Sequence, residues 1–200
     1  FTFNVFEQKI DLIIHCAAVL SNSENNTEIT VFHDNNAITE SMIHIAEKIN
    51  ASRFINMSTI GVYPNVNGTY NEQSYLLPSI NNECLYSLSK ICSEELFSFY
   101  LGKTAKVINL RLGQTYGSGM REDRIFSIMK NELKESNSIT VWGNGERISN
   151  FISIDYLIQK IDNIIDNSNL SGTYNLGEKN ISYHKLAEMI IKEHGNDSSK

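Results

Sequence analysis

Apolar positions along the chain fall into two alternating patterns. Short continuous apolar runs suit strands buried on both faces, while longer stretches with apolar residues three and four apart suit amphipathic helices. The first run is Asp11-Leu12-Ile13-Ile14-His15-Cys16-Ala17-Ala18. Residues 34–50 follow as a helix with Ile38, Met42, Ile45, Ala46 and Ile49 on its apolar face. Arg53 to Ser58 predicts a second strand, Leu85 to Tyr100 a second long helix, and Ala105 to Leu112 a third strand rich in Val, Ile and Leu. Strands alternating with helices at this spacing predict right-handed βαβ crossovers and a parallel sheet.

After Gly117 the texture changes. Arg121 to Leu133 reads as a helix, Ile139 to Trp142 as a short strand, and Gly143-Asn144-Gly145 as a turn. Phe151 to Ile154 predicts another strand, followed by a helix from Asp155 to about Asp166 and a last strand from Gly172 to Leu176. Ser182 caps a final helix through about Glu193.

Open parallel sheets bind ligands at the carboxyl ends of their strands. Cys16-Ala17-Ala18, Ser58-Thr59 and Leu112-Gly113-Gln114 all fall at such ends. Ala17 and Ala18 are small enough to let a ligand approach the backbone, or they simply pack. Thr59 projects a hydroxyl into the same crevice, or caps a turn. Tyr86 and Lys90 are four residues apart on the second long helix and so share one face. An ammonium held near a phenol favours the phenolate, which suits a tyrosine for proton transfer near neutral pH. The same spacing also occurs on solvated helix surfaces.

Composition narrows the field. The 200 residues are 41% hydrophobic and 20% charged, enough apolar mass for a sizeable core. A net charge of −6 with scattered Lys and Arg carries no basic footprint for nucleic acid. No apolar run approaches the length of a membrane span, so no membrane partner is expected. Cys16, Cys84 and Cys92 are odd in number and lack metal-ligand spacing, which fits a reducing, cytoplasmic setting. His33, His44, His184 and His194 form no ligand constellation with them, so no metal is expected. His15 reads as a strand-end histidine with a structural hydrogen bond. The chain opens on Phe1-Thr2-Phe3-Asn4-Val5-Phe6, and both ends are expected to be cut from a longer protein.

In order along the chain, these segments resemble the extended short-chain dehydrogenase/reductases, the NAD-dependent epimerase/dehydratase family. Asp11 to Ala18 looks like the family's strand ending in His-x-Ala-Ala, and Asp34-Asn35-Asn36-Ala37 like the helix start whose asparagine holds the cofactor side. Ser58-Thr59-Ile60-Gly61-Val62-Tyr63 resembles the motif carrying the catalytic hydroxyl. Tyr86 and Lys90 match the family's Tyr-x-x-x-Lys, 27 residues beyond Thr59. Leu110 to Gly117, Gly143 to Asp155 and Gly172 to Gly177 resemble the passage to the substrate region and its landmarks.

The resemblance implies a partial Rossmann-like, doubly wound parallel sheet over residues 1–113. It also implies a small substrate-binding region over 114–200, of which 151–177 packs back on the first part. NAD, with NADP left open, would lie against Ala17, Ala18, Asn36, Ser58, Tyr86, Lys90, Leu112 and Gly113. Tyr86 would be the acid/base for a sugar hydroxyl, Lys90 would lower its pKa and reach the nicotinamide ribose, and Thr59 would orient the reacting oxygen. Gln114, Trp142 and Arg147 are the substrate-side candidates. Trp142 would stack on a substrate base, or serve as a core or hinge aromatic. Members commonly dimerise, which here would use helices 34–50 and 85–100.

Departures from the pattern refine the expectation. The Gly-rich pyrophosphate turn would lie before Phe1, so the piece by itself is expected to bind NAD poorly. Sugar 4,6-dehydratases carry Asp-Glu directly after the motif threonine, where this chain has Ile60 and Gly61. Gln114 stands for an asparagine, and Ser149-Asn150 for Arg-Asp; Arg147 either compensates or is a solvated turn arginine. The expected function is therefore an NAD(P)-dependent epimerase or ketoreductase acting on a nucleotide sugar, for surface-polysaccharide precursors. The alternative is a non-catalytic binding module or an inactive fragment of such an enzyme.

Overall fold

The computed structural model describes residues 9–22 and 24–200, and the apolar opening Phe1 to Phe6 lies outside them. The elements run β1 (Leu12–His15), α1 (Ile29–Ile49), β2 (Arg53–Thr59), α2 (Cys84–Leu101), β3 (Lys106–Leu112), β4 (Gln114–Tyr116) and α3 (Ile125–Ser136). They continue with β5 (Ile148–Ser153), α4 (Ile154–Asp166), β6 (Gly172–Leu176), β7 (Lys179–Ser182) and α5 (Tyr183–His194). One sheet has the order β1-β2-β3-β6 and the other the order β4-β5-β7. The chain divides into two compact units. The first runs through Asn65 and takes in Tyr70–Arg111 and Ile164–Asn175; the second comprises Val66–Thr69, Leu112–Asn163 and Leu176–Lys200.

In the first unit β1 and β2 pair in parallel, with His15 opposite Asn56. Helices α1 and α2 close over a core of Ile43, Ala46, Phe54, Phe97, Leu101 and Val107. Helix α1 starts five residues before its expected start and buries Val31, Asn35, Thr39, Ile43 and Ala46. Two polar residues in that stripe hide its apolar face from a hydropathy reading. They are accommodated because Thr39 donates to the Asn35 carbonyl and Asn35 to the Val31 carbonyl, both at 2.9 Å. The helix stops at Asn50, which takes the left-handed conformation and donates its N–H to the Glu47 carbonyl.

Helix α2 is polar on its buried face near its start and apolar near its end. Running from Lys90 to Phe97 it passes β2 in reverse, residue against residue. Lys90 meets the Met57 carbonyl, Ser93 meets Asn56, and the Phe97 ring lies 4.5 Å from that of Phe54. The apolar end therefore seals the core, while the polar end serves the carboxyl end of the strand.

In the second unit β5 pairs in parallel with β4 and antiparallel with β7. Met129, Leu133, Phe151, Leu186, Ala187 and Ile190 form its core. The expected strand at Ile139–Trp142 is corrected: it is extended chain outside either sheet. Its apolar alternation comes from Ile139 and Val141 packing on the core. Strands β4 and β7, three and four residues long, were not expected from the sequence. Ser182 caps α5 as read, its hydroxyl accepting from the Lys185 N–H at 3.2 Å. Among the described residues no helix is long and apolar enough to cross a membrane.

Candidate active site

The carboxyl end of β2 is gripped residue by residue by α2 and the segment before it. Lys90 Nζ donates to the Met57 oxygen at 2.9 Å. Next along β2, the Ser58 hydroxyl donates to Glu94 Oε1. Thr59 Oγ1 accepts from the Gly61 N–H at 3.0 Å, which opens a 3₁₀ turn over Ile60–Val62. Asn81 Nδ2 donates to the Gly61 oxygen at 3.2 Å, while its Oδ1 accepts the Glu83 N–H at 3.0 Å just before α2. Thr59 and the start of α2 are thereby fixed to the same turn.

Gly61 is needed for close approach. A β-carbon there would lie 2.7 Å from Ser87 Oγ and 3.3 Å from Thr59 Oγ1. Ser87 is fully buried and its hydroxyl has no hydrogen-bond partner. A side chain at position 61 would have to displace the Ser87 hydroxyl.

Tyr86 and Lys90 come together as the helix spacing predicts. Lys90 Nζ lies 5.8 Å from the centroid of the half-buried Tyr86 ring. The lysine is 4% exposed. Burial pushes its ammonium down to about 8, opposed by Cys16 and Glu94, which favour the charged form. At neutral pH it is still mostly protonated. His15, at the end of β1, packs against Phe54 and edge-on to Phe97. Burial, then the Lys90 charge, lowers it to about 4, so it is neutral.

Behind the strand end runs a buried polar chain. The Arg111 guanidinium spans both oxygens of Glu94, with Nε at 3.0 and 3.2 Å and Nη2 at 2.7 Å. Arg111 Nη1 also donates to the Tyr63 hydroxyl at 2.9 Å, and that hydroxyl donates to Asn175 Oδ1 at 2.7 Å. The Asn175 N–H reaches Glu72 Oε1 at 2.7 Å and holds that carboxyl below its usual range. Sequence reading missed Glu94, Arg111 and Tyr63. The signal was present as a charged residue inside an otherwise apolar strand, Leu110-Arg111-Leu112, which demands a buried partner.

Of the cofactor-side candidates, Ala17 is exposed and Ala18 half-buried at the end of β1. Asn36 carries a buried Oδ1 without a hydrogen-bond partner. Its neighbour Asn35, not singled out from sequence, clamps the loop after β1. It accepts from the Val19 N–H at 2.9 Å and donates to the Val19 oxygen at 3.0 Å. The Ser58 hydroxyl is committed to Glu94.

Leu112 and Gly113 belong to the second unit. There Gly113 lies so close to Asn150 that a β-carbon would stand 2.4 Å from its Oδ1. Gln114 Nε2 donates to Ser149 Oγ at 2.8 Å and to the Tyr183 hydroxyl at 3.4 Å. The Arg147 guanidinium stands 5.4 Å over the Tyr183 ring, so Gln114 and Arg147 gather on one tyrosine. Trp142 is 88% exposed and is no core residue. Among the described residues no group of three or more His, Cys, Asp or Glu could hold a metal ion.

Comparison with known proteins places these features. The profile of the NAD dependent epimerase/dehydratase family matches residues 2–177. The chain is 28% identical over 204 residues to a dTDP-D-glucose 4,6-dehydratase of Dictyostelium discoideum, covering 94% of this chain and 46% of that protein. It therefore spans about half the length of that relative. The UDP-N-acetylglucosamine 4-epimerase of Methanobrevibacter ruminantium, solved with UDP-N-acetylmuramic acid, superimposes with a TM-score of 0.81 at 21% identity. That match covers 94% of this chain and 62% of the epimerase. MoeE5, solved with UDP-glucose and NAD, also gives 0.81 at 19% identity, over 92% of this chain and 62% of that one. These structures share the Rossmann-like fold of the sheet and helices described above.

Proposed function

We propose a catalytic reading from one established premise: this chain belongs to the NAD dependent epimerase/dehydratase family. The protein containing it is an NAD(P)-dependent epimerase or ketoreductase acting on a nucleotide sugar, with Tyr86 as acid/base. The observation that carries this reading is the buried, charged Lys90 ammonium 5.8 Å from the Tyr86 ring, beside the strand end that bears Thr59. A positive charge placed there, with little water to screen it, favours the phenolate. In that form Tyr86 takes the proton of a sugar hydroxyl, and in the reverse sense returns it. Thr59, at the head of the turn built on Gly61, orients the same oxygen.

The residues present fit the nicotinamide end of NAD. Small side chains at Ala17 and Ala18 leave the backbone approachable, Asn36 offers an unpartnered buried acceptor, and Lys90 has three N–H donors, one directed at Met57. Within the first unit, Tyr86 completes the cofactor side. When bound, NAD supplies the acceptor and donor of hydride.

On the substrate side, Gln114 and Arg147 serve the polar end of the nucleotide sugar, with Arg147 in place of the arginine replaced by Ser149. Trp142 offers a solvent-facing ring for a base. Ile60 and Gly61 supply no acid or base, and a side chain at 61 would crowd the Ser87 hydroxyl. Epimerisation or ketone reduction, which the phenol alone can serve, is favoured over loss of water.

Replacement of Tyr86 by Phe in the full-length protein tests the assignment. Turnover is expected to fall by about 10²–10⁴-fold with cofactor affinity little changed. Unchanged turnover on nucleotide sugars would leave the chain a binding module.

A further inference from the structure

We infer that Glu94 and Arg111 are positioning residues of the site, a buried charge pair that fixes the Ser58–Thr59 segment and sets the electrostatic field in which Tyr86 and Lys90 exchange protons. The inference rests on the catalytic reading above.

The geometry is specific. Glu94 lies one helical turn beyond Lys90 on the same face of α2, and both are buried. Its carboxylate receives the Ser58 hydroxyl, adjacent in sequence to Thr59, and two arms of Arg111. Arg111 carries the connection on to Tyr63, immediately after the turn that Thr59 heads. A shift of the Glu94 carboxylate would therefore move the motif segment at both ends.

The charge count points the same way. Lys90 and Arg111 are positive and Glu94 negative, so this buried cluster carries one surplus positive charge beside the phenol. The groups facing Lys90 are His15 and Cys16 at the end of β1, with Tyr86 and Glu94 on α2; Arg111 stands behind Glu94 on β3. His15 is neutral at working pH, which leaves Cys16 and Glu94 as the groups that offset the burial of Lys90. Glu94 favours the charged form of Lys90. Without Glu94, Lys90 loses its proton at lower pH. Without Arg111, the Glu94 carboxylate is left uncompensated and holds the Lys90 proton to higher pH. A pair that merely stabilised the fold would not produce shifts of opposite sign.

The test is the pH profile of kcat in the full-length protein for Glu94→Gln and Arg111→Met, with Tyr86→Phe run beside them. Glu94→Gln is expected to move the profile about one pH unit down and Arg111→Met about one unit up, with kcat reduced about tenfold and KM little changed. Profiles that stay in place while only thermal stability falls would overturn the inference. Where a single variant fails to fold, the Glu94→Gln/Arg111→Met double variant is used, in which neither member of the pair is left charged without the other. It is expected to keep the wild-type profile position, because the net charge is preserved, and to lose about tenfold in kcat with KM unchanged. Wild-type kcat in the double variant would sink the positioning role. An active Tyr86→Phe variant would instead refute the catalytic reading itself.

Discussion

Ser87 Oγ occupies the space that a β-carbon on Gly61 would need, 2.7 Å away, and full burial leaves Ser87 little freedom to swing aside. Gly61→Ala is therefore expected to destabilise the protein by about 1–3 kcal/mol through overpacking. Because the clash is with the hydroxyl and not with the helix backbone, Ser87→Ala in the same chain should recover most of the loss. Ser87→Ala alone removes an unpartnered buried hydroxyl and is expected to be neutral or mildly stabilising. Urea denaturation of the three variants decides it; a double variant no more stable than Gly61→Ala alone would show that the strain lies elsewhere. The same crowding gives a physical reason for the missing carboxylate after Thr59. At position 61 a carboxylate would have to displace the Ser87 hydroxyl, whereas position 60 already carries the Ile60 side chain.

At the scale of elements, α4 shows how a helix end is completed from outside. Its last turn contains no basic residue. Arg53, at the start of β2, supplies the missing charge, donating to the Ile164, Ile165 and Asn167 carbonyls at 2.5, 2.6 and 3.3 Å. Arg53→Ala is expected to cost about 1–3 kcal/mol in chemical denaturation. Arg53→Lys should recover only part, since a single ammonium nitrogen cannot reproduce the planar fork of Nη1 and Nη2; full recovery by lysine would reduce the contact to simple charge.

Such long-range partners explain what was legible in the sequence. The strands β1, β2, β3 and β6 and the long helices could be read because local hydropathy follows their period, and Tyr86 and Lys90 because helix geometry alone joins them. The buried stripe of α1 could not, because Asn35 and Thr39 look exposed until their backbone partners are known. Ile139–Trp142 reads as a strand because core contact and strand pairing leave the same alternation. The short strands β4 and β7 are too brief to carry a period. Glu94 carries no signal of its own in the sequence, and only the fold brings Arg111 to it.

Over the whole molecule, sensitivity to acid is concentrated at the carboxyl end of the first sheet. His15 is 4% exposed, and burial together with the Lys90 charge holds it at about 4 against 6.5 when unfolded. Between those values the unfolded chain binds the extra proton, so stability rises with pH through the window and is lost as pH falls from 6.5 toward 4. Lys90, lowered from 10.5 to about 8, has the same sign at the alkaline end: stability gains as pH rises from 8 to 10.5. Between pH 7 and pH 5 the His15 contribution amounts to about 2 kcal/mol. Glu72, Glu178 and Glu188, whose pKa values are lowered, add losses only further down, as their carboxyls begin to take up protons. His15→Gln should therefore flatten the stability curve between pH 7 and pH 5 whatever its effect on stability at pH 7. The measurement is denaturant unfolding at half-unit pH steps for both proteins. Parallel curves through that window would mean that His15 is reached by protons in the folded state as readily as in the unfolded chain, contrary to its packing between Phe54 and Phe97.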